Sequence, residues 1–212
     1  MAGFTSSYSI LPPVVKLLLI VNVVMFLLEL SFGNQLIAAL ALWPWGFSSS
    51  AGVGFSQPQF QLYQLVTYAF LHGGFMHLLL NMYALWLFGS RMENVWGSCD
   101  FTIYYLVCVV GAALVQLVVS SLSGGYYPTV GASGGVFGLL LAFGMIFPRE
   151  ILMLVFPPVA LQARWFVMIY GAIELWAGVT GTAAGVAHFA HLGGMLFGFL
   201  LIQYWRWRPP RY

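Results

Sequence analysis

The stretch "PTVGASGGVFGLL", Pro128 to Leu140, places one serine, Ser133, among four glycines at the head of an apolar run. Serine and glycine are common where membrane helices touch, because small side chains let two backbones approach closely. A serine hydroxyl can also act as a nucleophile when a base lies beside it. The stretch therefore has two interpretations, a helix contact and a reactive serine, and the other polar residues of the chain bear on the choice.

Composition indicates a membrane protein. The 212 residues are 61% hydrophobic and only 6% charged, whereas a soluble protein carries about 25% charged residues. A chain with so few charges cannot cover a soluble surface, so we expect a polytopic membrane protein. The net charge of +2 is small, and nothing in the sequence indicates a nucleic-acid partner.

Apolar runs interrupted by glycine, proline, serine or a charge predict an all-α bundle of six transmembrane helices. We expect one domain over residues 1–212, without an internal repeat. The first span should remain in place, because the small-residue pair Ala39 and Ala41 lies too far past the apolar run for signal cleavage. The six predicted spans are roughly 13–32, 73–95, 101–120, 132–147, 165–179 and 186–205.

The basic residues predict the orientation of these spans, since cytoplasmic segments are enriched in lysine and arginine. With the N-terminus in the cytoplasm, every lysine and arginine of the chain falls on the cytoplasmic side. The long first loop, residues 33–72, contains none of them. The seven basic residues are Lys16, Arg91, Arg149, Arg164, Arg206, Arg208 and Arg211.

Polar side chains gather at the outer ends of three of the spans. Ionisable groups inside a membrane are rare and are functional candidates by default. The second span carries a histidine and an asparagine with another histidine directly before it, the fourth begins with a serine, and the sixth begins with two histidines. These residues are His72, His77, Asn81, Ser133, His188 and His191.

Two pairs of glycines predict how the serine and a histidine meet. Each pair has the G-x-x-x-G spacing that lets helices pack with their backbones close. One pair follows Ser133 and the other follows His191, so close packing would bring the hydroxyl and the imidazole together. The glycines are Gly134, Gly138, Gly194 and Gly198.

This arrangement predicts a nucleophilic serine. Ser133 would attack, His191 would take its proton, and the developing oxyanion would need donors aimed at it. Asn81, His77 and the backbone N–H of Ser133 can donate. Glu174 is the one acidic residue near this depth, and we expect it to pair within the bundle, so we predict a Ser–His dyad.

A metal site at the two histidines of the sixth span, His188 and His191, is not expected. No cysteine or carboxylate joins them in the sequence. The two cysteines, Cys99 and Cys108, lie nine residues apart on one predicted helix. That spacing separates their α-carbons by about 13 Å, too far for a disulfide, so they are interpreted as packing residues.

The depth of Ser133 follows from the length of its span. Residues 132–147 rise about 23 Å as a helix, less than the roughly 30 Å of the hydrocarbon core. With the inner end held near Arg149 and Glu150, the outer end must be recessed. We therefore expect a polar cavity that opens to the outer side.

Three segments, "HGGFMHLLLNMYALWLFG", "GASGGVFG" and "AHLGG", occur in this order on the second, fourth and sixth predicted spans. Together they resemble the rhomboid family of intramembrane serine proteases, over about residues 13–205. The resemblance implies that Ser133 is the nucleophile, that His191 is the general base, and that His77 and Asn81 line the oxyanion hole. It further implies single-pass transmembrane proteins as substrates, in the lipid bilayer, with no cofactor or metal.

Within that family the chain looks most like the minimal six-span, bacterial-type members, so we expect a bacterial inner membrane. His72 and His188 are assigned supporting roles. Many members carry Trp-Arg in the first loop, where this chain has Tyr63-Gln64, and many have tyrosine where this chain has Phe137. We expect the Phe137 ring to pack on the catalytic histidine.

Two alternatives belong to other functional classes. A non-catalytic rhomboid-like protein that binds membrane clients would be marked by loss of the serine or the histidine, and Ser133 and His191 are both present. A small transporter would use the polar cluster as a substrate site. Against it, the sequence shows neither repeat symmetry nor a charged path across the membrane.

Overall fold

The structure is a computed structural model, and it describes residues 8–45, 58–153, 158–182 and 187–207. Over these residues the chain is mostly helical. The main helices are α1 (Pro13–Leu40), α2 (Gln64–Thr67), α3 (Phe75–Ala84), α4 (Ser90–Ser123), α5 (Ser133–Ile146), α6 (Ala163–Thr180) and α7 (His188–Trp207). A 3₁₀ turn at Tyr68–Phe70 follows α2, and a π-helical turn at Leu85–Gly89 joins α3 to α4.

Each predicted apolar segment corresponds to a helix, and two breaks within continuous helices fall near the predicted ends. Phe32, where the first segment was expected to end, has non-helical dihedral angles inside α1. Gly97 has φ 78° and ψ 162° inside α4, in the left-handed half of the Ramachandran map that favours glycine. This break separates the segments predicted at 73–95 and 101–120, although the helical run is otherwise continuous.

The N-terminus of α1 is fastened to α4 by a glutamate. The Glu93 carboxylate accepts hydrogen bonds from the backbone N–H groups of Val14 (3.0 Å) and Val15 (2.8 Å). It also accepts one from the Ser98 hydroxyl at 2.6 Å. The first N–H groups of a helix lack partners within the helix, so the buried Glu93 side chain satisfies them from a neighbouring element.

Helix α5 forms the centre of the bundle. Most of its residues are buried, and it packs against α4, α6 and α7. Such a helix, apolar on every side and enclosed by others, is typical of a bundle interior. Ser133, its first residue, lies at the end of this buried helix and is partly exposed.

The outside of the bundle is apolar. Leu17, Leu27 and Leu30 of α1 are 58–70% exposed, as are Met168 and Trp176 of α6 at 62% and 63%. Among the described residues, two helical runs are long and apolar enough to cross a membrane, Pro13–Leu40 and Phe75–Ser123, and Ser133–Ile146 is a shorter apolar helix. An apolar surface of this extent is stable against lipid and not against water.

Between α5 and α6 lies a short hairpin, which was not predicted from the sequence. Strands β1 (Ile151–Met153) and β2 (Ala160–Gln162) pair antiparallel, with Ile151 opposite Gln162. Three-residue strands are too short to show a periodic pattern. Beside the hairpin, Arg91 and Glu150 form an exposed ion pair at 3.1 Å.

Candidate active site

The serine and the histidine that the sequence placed on different spans are hydrogen-bonded. Ser133 Oγ at the first turn of α5 lies 2.8 Å from His191 Nε2 on α7. His191 is buried and Ser133 is partly exposed. They are 58 positions apart in the sequence, so this is a contact of the tertiary fold. A hydroxyl at this distance from an imidazole nitrogen can transfer its proton to the ring.

The crossing of α5 and α7 depends on glycine. A Cβ on residue 194 would overlap the carbonyl oxygen of Gly134, and one on residue 134 would overlap the Ala112 side chain. Gly138 lies against Cys108 and against the carbonyl oxygen of Gly194. Three of the four predicted packing glycines thus bring α5, α7 and α4 into close contact.

Gly198 differs from that prediction. Its Cα faces the Tyr104 ring and the Cys108 sulfur on α4 rather than α5. Gly194 and Gly198 thus contact different helices: Gly194 packs on α5, and Gly198, four residues later, packs on α4. The Cys108 thiol is buried beside Gly138 and Gly198, and Cys99 is exposed; both cysteines are free.

The loop before Ser133 is held in place by backbone hydrogen bonds. Leu42 and Thr129 exchange two of them, at 3.0 and 2.9 Å, and the Gly131 N–H donates to the Tyr68 carbonyl at 3.0 Å. Gly131 has φ +128°, and a Cβ there would overlap the His77 ring. Only glycine therefore lets this loop pass beneath His77 and enter α5 at Ser133.

The His77 ring lies beside Ser133. Its Cε1 and Nε2 atoms and the Ser133 hydroxyl all lie within 3.6 Å of the position that a Gly131 Cβ would occupy. His77 Nδ1 accepts a hydrogen bond from the Gly73 N–H at 3.3 Å. Because a neutral imidazole with Nδ1 as acceptor carries its proton on Nε2, His77 presents a donor on the side of Ser133.

Asn81 is placed less directly. Its amide donates to the His77 carbonyl at 2.9 Å, one helical turn back, and the residue is buried. An amide nitrogen has two N–H groups, so one donor remains beyond this bond. Asn81 also holds the turn that carries His77.

His72 does not contact Ser133. Its backbone N–H donates to the Glu29 carboxylate at 3.1 Å, and its ring packs edge-on against His77 with centroids 5.2 Å apart. Neither ring nitrogen has a hydrogen-bond partner among the described residues. Burial, with the His77 ring nearby, lowers the pKa of His72 to about 4, although the Phe70 backbone opposes the shift. His72 is therefore a neutral packing partner of His77.

An aromatic stack orients the His191 ring. Phe137 lies parallel to His191, with centroids 4.2 Å apart and an interplanar angle of 5°. Tyr170 and then Phe166 of α6 continue the stack, at 5.4 and 5.5 Å. The phenyl ring thus limits rotation of the imidazole, as expected for this position.

Glu174 pairs within the bundle, as expected, but the sequence analysis did not identify its partners. Its Oε2 atom lies 2.9 Å from His191 Nδ1 and 2.7 Å from His188 Nδ1. The statement that no carboxylate joins the two histidines was therefore wrong. The potential ligand atoms of all three residues lie within 4.8 Å of one another.

The sequence held one signal for Glu174: an acidic residue alone in an apolar span is a functional candidate. Its pairing with His191 depends on how α6 and α7 rotate against each other. That rotation cannot be read from either helix alone.

Comparisons with known proteins agree with this geometry. A family model described as "Rhomboid domain" matches residues 59–208, which is 150 of the 212 residues. The mouse protein "Presenilin-associated rhomboid-like protein, mitochondrial" is 34% identical over 153 residues, covering 66% of this chain and 39% of that protein.

Two further relatives come from yeast and a plant. "Rhomboid protein 1, mitochondrial" of Saccharomyces cerevisiae is 34% identical over 142 residues, covering 62% of this chain and 38% of that protein. "RHOMBOID-like protein 4" of Arabidopsis thaliana is 37% identical over 141 residues, covering 66% and 33%. The chain spans about two fifths of these relatives, or less.

These relatives correct one expectation. The sequence analysis assigned the chain to bacterial-type members and to a bacterial inner membrane. The relatives named here are eukaryotic, and the mouse and yeast proteins are named as mitochondrial. The three motifs resemble the family as a whole, so they do not identify the membrane. With its domain match and these similarities, the chain belongs to the rhomboid family.

Proposed function

We propose that this chain is an intramembrane serine endopeptidase that cleaves single-pass transmembrane proteins within or beside their membrane segment. The observation that carries the proposal is the 2.8 Å contact between Ser133 Oγ and His191 Nε2. Rhomboid proteins are in general serine proteases of this kind, and the contact supplies the chemistry that such a protease needs.

The proposed reaction begins when Ser133 Oγ attacks the scissile carbonyl carbon while His191 Nε2 takes the hydroxyl proton. The carbonyl oxygen becomes an oxyanion, which the His77 ring, the free N–H of Asn81 and the first N–H groups of α5 would stabilise. Collapse of the intermediate breaks the C–N bond, and the proton on His191 passes to the leaving amine. An acyl-enzyme remains on Ser133.

Water completes the cycle. His191 takes a proton from a water molecule, which attacks the acyl carbon, and the proton then returns to Ser133 Oγ as the acid departs. Most of α5 is buried, but its first residue, Ser133, is partly exposed. This exposure supports access of water to the acyl group on Ser133 Oγ.

We further propose that the domain crosses the bilayer six times, with the N-terminus on the side that carries the basic residues. The apolar outer faces of the described helices support crossing of a bilayer. The orientation rests on the sequence alone, in which the predicted topology puts every lysine and arginine on one side. Arg208 and Arg211 lie outside the described residues. The mitochondrial relatives suggest an organellar membrane.

The test is cleavage of a model single-pass substrate by purified protein in proteoliposomes. Ser133→Ala and His191→Ala should each abolish cleavage while leaving thermal unfolding unchanged. Ser121→Ala is the matched control, because the Ser121 hydroxyl donates only to the Leu117 carbonyl within α4, and it should cleave like the wild type. Cleavage by Ser133→Ala at the wild-type rate would rule out the mechanism, and binding of substrate without cleavage by the wild type would favour the client-binding alternative.

A further inference from the structure

We propose that Glu174 is a positioning residue that holds His191 in the tautomer and orientation required to accept the Ser133 proton, and that His188 fixes the Glu174 carboxylate for this task. The inference rests on the proposed protease function and extends it. It replaces the expected dyad with a hydrogen-bonded series that runs from Ser133 through His191 to Glu174.

The distances give the order of the series. Ser133 Oγ lies 2.8 Å from His191 Nε2, and His191 Nδ1 lies 2.9 Å from Glu174 Oε2. The two ring nitrogens of His191 thus face a hydroxyl on one side and a carboxylate on the other. Ser133, His191 and Glu174 come from α5, α7 and α6, so the packing of three helices creates the series.

The tautomer follows from the acceptor character of the carboxylate. An ionised carboxylate can only accept, and a neutral imidazole has one donor and one acceptor nitrogen. With its N–H on Nδ1, directed at Glu174, His191 must present the Nε2 lone pair to Ser133. Without the carboxylate, the ring could carry its proton on Nε2 and would then be unable to take the serine proton.

Burial strengthens the effect. Glu174 and His191 are 7% and 8% exposed, and opposite charges attract more strongly at the low effective dielectric of a protein interior than in water. When His191 receives the serine proton, it becomes an imidazolium next to an anion. Glu174 therefore stabilises the charge that appears on His191 in the transition state, while it contacts no reacting atom itself.

His188 explains why the carboxylate stays in place. Its Nδ1 lies 2.7 Å from the same Oε2 atom, and its Nε2 lies 3.2 Å from the Thr182 carbonyl. The ring thus spans from the end of α6 to the carboxylate. His188 and His191 are nearly perpendicular, with centroids 6.3 Å apart, so they approach Oε2 from different directions and limit its rotation.

The same three residues could be interpreted as a site for a divalent cation. A cation bound to both Nδ1 atoms would require their lone pairs, so His191 would carry its proton on Nε2 and could not accept one from Ser133. The two arrangements are therefore exclusive in a working protease. The two Nδ1 atoms lie at direct hydrogen-bond distances of 2.9 and 2.7 Å from Glu174 Oε2, which favours the hydrogen-bonded arrangement.

The first test is steady-state cleavage of a model transmembrane substrate by Glu174→Gln and Glu174→Asp. We expect Glu174→Gln to lower kcat by about 100-fold or more, by analogy with the orienting aspartate of serine-protease triads, with KM little changed. Glu174→Asp should recover part of the lost kcat, since it keeps the charge. Glu150→Gln, at an exposed carboxylate outside the site, is the matched control and should match the wild type.

The second test measures the wild-type protein itself and uses a variant only to assign signals. The chain has four histidines, so ¹⁵N-histidine labelling gives four pairs of ring signals, and the His191 pair is assigned by its loss in His191→Gln. In the wild type, at a pH where the ring is neutral, we expect the protonated nitrogen of His191 to be Nδ1. A His191 ring protonated on Nε2 would overturn the proposal, as would Glu174→Gln with wild-type kcat.

The remaining controls separate the alternatives. Activity of the wild type that survives treatment with a metal chelator supports the hydrogen-bonded series, and activity lost to the chelator and restored by Zn²⁺ overturns it. If Ser133→Ala still cleaves, the proposed function itself fails. If Ser133→Ala is inactive and Glu174→Gln is fully active, only the role of Glu174 fails.

Discussion

Gly194 of α7 rests directly on the carbonyl group of Gly134 in α5, so that a Cβ on residue 194 would lie 2.7 Å from the carbonyl carbon. The obstacle is backbone, which cannot rotate away as a flexible side chain does. Ser133 and His191 lie within three residues of these two glycines. The separation of the helix backbones therefore determines the distance between hydroxyl and imidazole.

Gly194→Ala should consequently reduce activity more than stability alone would explain. The added methyl group must push α7 from α5, at a cost of about 1–3 kcal/mol for overpacking, and the Ser133–His191 contact should lengthen. We expect a large loss of kcat with a lowered thermal unfolding temperature. Gly171→Ala is the control, because a Cβ there meets only the flexible end of Met195, at 3.4 Å. Equal activity of the two variants would contradict the account.

Phe137 should matter for the catalytic rate through its stack on His191. Phe137→Ala removes a ring 4.2 Å from the imidazole, leaving a cavity that costs about 3 kcal/mol or more and freeing the His191 ring to rotate. We expect kcat to fall while substrate affinity changes little. Phe137→Tyr keeps the ring and should remain active. Loss of activity in the tyrosine variant with full activity in the alanine variant would show that stacking is not the reason for this residue.

His72 should make stability depend on pH. Its pKa falls from 6.5 to about 4 in the folded protein because the ring is buried next to His77, and the Glu29 carboxylate contacts only its backbone N–H. The unfolded chain then binds a proton first as the pH drops below about 6.5. Stability due to this residue is therefore lost between pH 6.5 and 4, by at most about 1.4 kcal/mol per pH unit.

The measurement is thermal unfolding in detergent as a function of pH for the wild type and His72→Phe. The phenylalanine variant cannot be protonated, so its unfolding temperature should fall less between pH 6.5 and 4. Parallel curves for the two proteins would show that His72 does not titrate with the expected sign.

Gln64 should fasten the first loop in place of the Trp-Arg pair of many relatives. It is buried, accepts from the Trp43 N–H at 3.3 Å and donates to the Ala39 carbonyl at 3.2 Å. Gln64→Leu leaves both backbone groups without this partner, which should cost about 1–3 kcal/mol. Gln61, three residues earlier, has an exposed side chain, so Gln61→Leu should unfold like the wild type. Equal unfolding temperatures of Gln64→Leu and Gln61→Leu would show that the Gln64 hydrogen bonds do not stabilise the first loop.

Much of the fold could be predicted from local patterns. Apolar length located the helices, and motif order located Ser133 and His191, because G-x-x-x-G spacing shows which faces allow close contact. The rotation of each helix about its axis could not be predicted in the same way. Gly198 therefore faced α4 instead of α5, and Glu174 reached His191 although seventeen residues and a loop separate them.

Conformational details that depend on single residues also could not be predicted from the sequence. The continuation of one helical run across Gly97 and the hairpin beside Glu150 follow from tertiary contacts rather than from periodicity. The membrane was assigned wrongly because the motifs that point to the family carry no compartment signal, whereas the mouse and yeast relatives are named as mitochondrial.

The most direct test of the central claim is covalent labelling of the wild type by a fluorophosphonate, followed by mass spectrometry of its peptides. An activated serine attacks the phosphorus atom, displaces fluoride and gives a stable adduct. We predict an adduct on Ser133 in the wild type, on no serine in Ser133→Ala, and at a greatly reduced rate in His191→Ala. Labelling that is absent from Ser133 in a protein that still cleaves its substrate would contradict the account.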